Sequence, residues 1–160
     1  MPRYVHEGNT KVAYVATLAS TSAPSAATIS AGTDISRLLT KDGLTTPDSQ
    51  NMVDSSTLAD TFDAQRVGSW GGSITLTGFR DSTDADDDLW NLAVYGTEGY
   101  LVIRRGLPYD TAWAAAQNVE VYPIEFHEPV MNATGANEEA RFTVGCAVTG
   151  QPNKRATTAA

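Results

Sequence analysis

The sequence predicts a mainly β domain, an all-β sandwich with a single helix attached, and three observations point there. Runs such as KVAYVATL and ARFTVGCAV place apolar side chains at every second position. Segments rich in Gly, Pro, Asp, Ser and Thr separate these runs, as turns do. Helical spacing is clear over one stretch alone. At 160 residues the chain is long enough for one well-formed core and short for two. The reading is a polar N-terminal arm at 1–10, a single domain at 11–149 and a polar C-terminal tail at 150–160.

The first strand is KVAYVATL, with Val12, Tyr14, Ala16 and Leu18 on one face. ASTSAPSAATISAGTD follows as a loop of small residues, with at most a short extended piece near 27–29. Next, DISRLLTKDGLTTPDSQN offers one helical turn around 35–39 and turn signals at KDG and TPD. The region 40–53 reads as a long contact loop, since structureless loops of that length in compact domains tend to be functional. VDSSTLADTFDAQRVGSW and GSITLTGFRD form two strands of a hairpin, turned by the glycines around Trp70. Then Ala85, Leu89, Leu92 and Ala93 recur at helical spacing, with Gly96 just beyond, predicting a helix over about 84–95. GYLVIRRG is a short apolar strand and LPYDTAWAAAQ a loop. In VEVYPIEFHEPV the apolar phase slips by one at Tyr122 and Pro123, which predicts a bulge or an edge position. MNATGANEE is a turn and ARFTVGCAVTG the last strand, for six to eight strands in all.

Composition excludes several function classes. A formal charge of −8 and a pI near 4.5 argue against gripping a nucleic-acid backbone, because that grip comes from Lys and Arg displacing counterions. No run approaches the length of a membrane span, and MPRYVHEGNTK has no apolar centre of the signal-peptide kind. The lone Cys146 allows no internal disulfide and no Cys-based zinc site, and its strand position makes it a packing residue. His6 lies in the polar arm and His127 near a strand end. No phosphate loop, dinucleotide fingerprint or nucleophile elbow is present, so the chain reads as a non-enzyme without cofactor.

DSTDADDDLW, residues 81–90, holds five aspartates and tests a calcium reading. Starting from Asp84, positions one, three and five carry Asp, but Leu89 takes the glycine place and Tyr95 the bidentate-glutamate place, so the EF-hand pattern fails where the loop must turn and close. A calcium-dependent binding module stays an alternative. The plainer reading is a helix N-terminus capped by Ser82, Thr83 or Asp84, with Asp86, Asp87 and Asp88 in the first turn. That acid exceeds what one helix end requires, and a basic partner such as Arg104 or Arg105 of a neighbouring subunit would relieve it.

Taken in order, the first strand, the segment NMVDSSTLADTFDAQRVGSWGGSITLTGFRDS, the acid-capped DDDLWNLAVYG, then GYLVIRRG and VEVYPIEFHEPV resemble the major tail tube protein of long, noncontractile-tailed bacteriophages, especially those of actinobacterial hosts. The resemblance covers about residues 11–149. It implies a barrel-forming tail tube fold, a β-sandwich with one flanking helix, and self-assembly into hexameric rings stacked as a tube in the virion tail, built in the host cytoplasm. Six copies at −8 give about −48 per ring, a wall along which viral DNA slides without specific binding. The implied partners are further copies, tape measure, tail terminator and tail tip proteins, with no membrane. Asp63, Gln65, Thr75 and Thr77 are lumen candidates. Asp86, Asp87, Asp88, Arg104 and Arg105 are subunit-contact candidates, and Lys41, Asp42, Thr46, Asp48 and Asn51 belong to a ring-stacking loop. Head decoration and tail termination are the alternative virion roles.

Overall fold

The structure is a computed structural model and describes residues 3–160; the first two residues of the expected arm lie outside the described residues. Ten strands and two short helices follow one another as β1 (Thr10–Val15), α1 (Ala26–Ser30), β2 (Thr33–Asp34), β3 (Leu39–Thr45), β4 (Asp48–Asp54), β5 (Gln65–Phe79), α2 (Asp88–Leu92), β6 (Glu98–Arg105), β7 (Asn118–Phe126), β8 (Val130–Met131), β9 (Arg141–Val148) and β10 (Asn153–Thr157). The fold is mainly β, as the alternating runs require. The strands form one antiparallel sheet in the order β2-β1-β6-β7-β9-β5-β3, with β10 added to β7, β4 to β5 and β8 to β9. Its two edges are bridged by the segment after β2, where the Ile35 N–H donates to Val12 O on β1 and the Phe79 N–H donates to Leu38 O. The layers of the expected sandwich are thus halves of one curled sheet.

Alternation decides what each face buries. Inside the curl, Val12 and Tyr14 of β1, Ile74 and Leu76 of β5, Leu101 and Ile103 of β6, Tyr122, Ile124 and Phe126 of β7, and Phe142, Val144 and Cys146 of β9 form the main core. On the opposite face a second core joins Ala13, Val15, Val102, Val119 and Val121 to Ile29 of α1 and Ala156 of β10. The small-residue segment expected to be loop therefore contains a helix. Ala26 and Ile29, three positions apart, share its buried face. The expected C-terminal tail is likewise corrected: residues 153–157 are a strand paired with β7, and Ala156 and Thr158 are buried.

Two faces also explain the apparent phase slip in β7, which is neither bulged nor an edge strand. Val119 and Val121 serve the second core, while Tyr122, Ile124 and Phe126 serve the first, so strict alternation holds throughout. Pro123 sits where β7 changes partners, between Val121 opposite Asn153 of β10 and Ile124 opposite Val148 of β9. Its carbonyl accepts from the Thr149 N–H at 3.1 Å, so its missing N–H falls toward that junction and costs no ladder bond.

The centre of the chain differs most from expectation. β5 continues straight through Trp70 and the neighbouring glycines, so no turn lies there. The hairpin instead joins β4 to β5 through residues 55–64, and the expected contact loop at 40–53 is strand: β3 pairs with Leu76 and Thr75, and β4 continues along the same edge from Gly72 to Gln65. Thr46 and Pro47 mark the join. Every β4 residue is exposed. The half of β5 beyond Gly72 and all of β4 form an arm projecting from the packed sheet.

Helix α2 is shorter than the predicted 84–95. Leu89 and Ala93 pack into the core, but residues 81–86 fold as turns in which the Asp81 carboxylate accepts from the Thr83 N–H at 2.9 Å and Thr83 O from the Asp86 N–H. Aspartate competes for backbone donors in this way and shortens helices. At the other end Gly96 adopts φ +79° and its N–H donates to Phe126 O, turning the chain into β6.

One close approach fixes the β1–β6 register. The Tyr14 ring lies over Gly99, where an added Cβ would stand 2.4 Å from the ring, and the Tyr14 hydroxyl donates to Glu98 O at 2.8 Å. Gly99→Ala is expected to destabilise the fold by about 1–3 kcal/mol through overpacking, read as a lower urea midpoint with unchanged slope.

Candidate functional site

The candidate site is a set of surfaces. Its first part is the half of the outer sheet face that the second core leaves bare. Across β5 and β9, Thr75 stands opposite Gly145, Thr77 opposite Thr143 and Ser73 opposite Ala147. The Thr77 and Thr143 hydroxyls are 3.2 Å apart, and Thr143 donates to Asn132 Oδ1 at 3.0 Å. This face is short, hydroxylated and half-exposed, and at its end Phe79 stands opposite Arg141, whose guanidinium is paired with Glu138 at 3.2 Å.

The four lumen candidates do not share it. Thr75 and Thr77 lie on this face, while Asp63 and Gln65 sit at the far end of the arm, about 30 Å away along an extended strand. Between Trp70 and Val67 the ladder carries an extra β5 residue opposite β4. Such a bulge reverses which side chains point to which face. Gln65 therefore falls on the side of Trp70, opposite to Thr75, although both numbers are odd.

The arm is the second part. Met52, Val53, Leu58, Phe62 and Val67 are all more than half exposed, with Phe62 at 79% and Leu58 at 109%. Its base is tied to the body by Lys154 of β10, which pairs with the Asp48 carboxylate and lies 5.5 Å over the Trp70 ring. Among the residues expected in a stacking loop, Asp48 is thus engaged, Asn51 donates to Ser69 Oγ across the arm, and Thr46 is half-buried at the join. Lys41 and Asp42 lie on β3, where Lys41 pairs with Glu7 at 2.6 Å.

The third part, the acidic cluster with its expected basic partners, is divided between inside and outside. Asp87 is 3% exposed and receives a 2.5 Å bond from Arg80 Nε, and the Arg80 guanidinium stacks 3.9 Å over Trp90. Asp87 makes no side-chain cap to α2. Asp86 and Asp88 remain exposed. Arg104 is fully buried, donating to the carbonyls of Pro108, Thr111 and Ala112 and to Gln117 Oε1, with Trp113 beneath it. Burial holds its pKa below the ordinary arginine value. It pins the 106–117 loop of its own protomer and has no exposed surface to offer a neighbour. Arg105 binds Glu120 at 3.0 Å, and Tyr122 donates to the same carboxylate at 3.1 Å.

The remaining reactive groups are structural. Burial pushes the Cys146 thiol up to about 12, so it carries no thiolate near neutrality. Among the described residues, no three His, Cys, Asp or Glu side chains gather as a ligand set. Sequence reasoning missed the arm, although its signal was there: NMVDSS and DAQRVGSW flank a turn-forming, Asp-rich stretch.

The division of the acidic cluster predicts unequal substitutions. Asp87→Ala should cost about 3 kcal/mol in urea unfolding, because it strands Arg80 in a largely buried pair, whereas Asp86→Asn and Asp88→Asn should each stay within about 0.5 kcal/mol.

Comparison with known proteins gives these surfaces a context. A family model described as phage tail tube protein matches residues 1–160. A search of curated proteins finds no match. Among solved structures, the SPP1 tail tube superposes with a TM-score of 0.58 at 12% identity, covering 96% of this chain and 81% of that one. A chain of the native gene transfer agent virion gives 0.55 at 14% identity, over 98% and 100%. A chain from the tail of the empty gene transfer agent particle, refined helically with C6 symmetry, gives 0.50 at 15% identity, over 91% and 92%. At these identities the likeness is one of fold, and the whole-chain family match carries the assignment: the chain belongs to the phage tail tube protein family, a structural component of the virion tail and not an enzyme.

Proposed function

We propose that the chain assembles into hexameric rings stacked as the tail tube, that the β4–β5 arm makes the contacts between copies, and that the bare β5–β9 face lines the lumen. The observation that carries this is the arm: two paired strands with exposed Leu58, Phe62 and Val67 and nothing of their own protomer to cover them. Burying each such side chain is worth about 1.5–3 kcal/mol in area terms, a strong drive to associate even after the losses of binding. An arm on one side of a subunit and its receptor on another make a head-to-tail contact, which closes into rings or propagates as a filament. The C6 symmetry of the gene transfer agent tail supports six as the ring number.

The lumen assignment rests on Thr75 and Thr77. This surface of hydroxyls and small side chains carries one cation, Arg141 at its end, which Glu138 already neutralises, and the net charge of −8 repels the phosphates, so the genome and the tape measure protein pass without adhering. Among the described residues, ion pairs engage six of the nineteen acids, leaving the surplus outward. Exposed Asp86 and Asp88 stay available to a neighbouring copy, the stacking role falls to Lys41, Asp42 and the arm residues Asp48 and Asn51, and tail tip and terminator proteins cap the two ends. Assembly takes place in the host cytoplasm.

Electron micrographs of the concentrated protein should show rings or tubes with a regular central channel. A strictly monomeric species at every concentration, with tail tip and tape measure proteins present, would falsify the reading. The lumen face has its own test. Thr75→Lys with Thr77→Lys should leave tube assembly intact while slowing DNA ejection about tenfold at low salt, an effect removed by raising ionic strength. Unchanged ejection from such tubes would place another face in the channel.

A further inference from the structure

A cavity of about 220 Å³ lies between the N-terminal segment and β3, floored by Val12, Leu39 and Leu44 and rimmed by His6, Arg37 and Lys41. No carboxylate lines it. A dry apolar cavity of about 150 Å³ accommodates a benzene ring, so this one has room for a phenyl side chain. Lys41 reaches into solvent with its side chain 70% exposed, and its pair with the equally open Glu7 is of the weak, exchangeable kind. Arg37 is held in place on the rim by Tyr109, whose ring it also faces at 5.0 Å.

The arm tip has the opposite character. Residues 54–65 contain Asp54, Asp60 and Asp63 and no Lys or Arg, and they expose Leu58 and Phe62. The tip is also ordered before it meets anything. The Ser55 N–H donates to Ala64 O at 2.9 Å, the Ala64 N–H to Ser56 Oγ at 2.9 Å, and the Thr57 N–H to the Asp60 carboxylate at 2.7 Å. A tip fixed in this way loses little conformational freedom on docking.

We propose that the tip of the β4–β5 arm, led by Phe62, seats in the cavity between the N-terminal segment and β3 of a second copy of this chain, with Asp60 and Asp63 against Arg37 and Lys41. The inference rests on the tube reading above and names the receptor that reading leaves open. Geometry excludes the arm's own protomer. From Gln65 at the tip to Gly78 beside Leu39, β5 spans about 40 Å of extended chain, so the tip and its own cavity lie at opposite ends of one strand. The contact is therefore head-to-tail, and each copy both gives an arm and receives one.

The test co-assembles two single-cysteine proteins, Phe62→Cys and His6→Cys, in a Cys146→Ala background, and treats the tubes with a short bismaleimide. A covalent dimer should form about tenfold faster than in a Phe62→Cys and Ser82→Cys mixture, because the tip and the cavity rim are held together. Tubes that form normally and give no dimer above that control overturn the docking while leaving the tube reading intact. Wild-type protein that never forms tubes overturns both. Charge reversal covers the case in which the cysteine variants fail to assemble. Lys41→Glu and Asp63→Lys should each lower the yield of tubes about tenfold at low salt, and the two together should restore most of it. A double variant no better than the singles also overturns the docking.

Discussion

The constraint on which the rest depends is that β1, β6 and β7 are buried on both faces, while β5 and β9 are buried on one. The main core inside the curl needs one face of all five strands, and α1 and β10 cover the second face of the first three alone. Covering that face completely would have required more chain than the short α1 and β10 supply. What is left over is therefore fixed: a hydroxyl-bearing strip along β5 and β9, and the distal half of β5 with β4 beside it. Both surfaces proposed for assembly are remainders of one packing decision.

Charge follows the same division. The cations that seemed free for neighbours are largely used within the protomer. Arg104 holds the 106–117 loop through backbone carbonyls, Arg105 binds Glu120, and Arg80 binds the one aspartate of the acidic run that lies inside. Trp113 sits between Lys11 and Arg104, both within 5.5 Å of its ring. A buried guanidinium is tolerable only with its donors occupied, and four acceptors meet that need except at Nε. With most of its cations engaged internally, the protein presents acid to its surroundings, in keeping with the lumen role proposed above.

How much was legible depended on whether the controlling interaction was local. The strands at 10–15, 98–105 and 141–148 follow from alternation, which is written residue by residue. The β7 phase slip was legible as a fact and misread as a bulge or an edge position, because alternation shows that a face is apolar without showing that the opposite face is apolar a few residues earlier. Helix 84–95 failed for a neighbouring reason. Its apolar spacing was real, yet the Asp side chains satisfied backbone donors as turns and shortened it to Asp88–Leu92. Which face the lumen candidates occupy was half legible, since Thr75 and Thr77 alternate with core positions whereas Gln65 lies beyond a bulge that only pairing with β4 defines.

By itself the sequence determined a mainly β fold, an acidic non-enzymatic protein, a packing role for Cys146 and, through the order of its segments, the tail tube family. These rest on composition, on local periodicity and on motif order, each carried by neighbouring residues. Only the tertiary structure decided that β5 runs unbroken through Trp70, that residues 40–53 are strand, that the C-terminal residues close the second core, and that Asp87 and Arg104 face inward. Each of those outcomes is set by a partner far away in the chain, and the energy of a strand or a buried charge is the energy of its pairing.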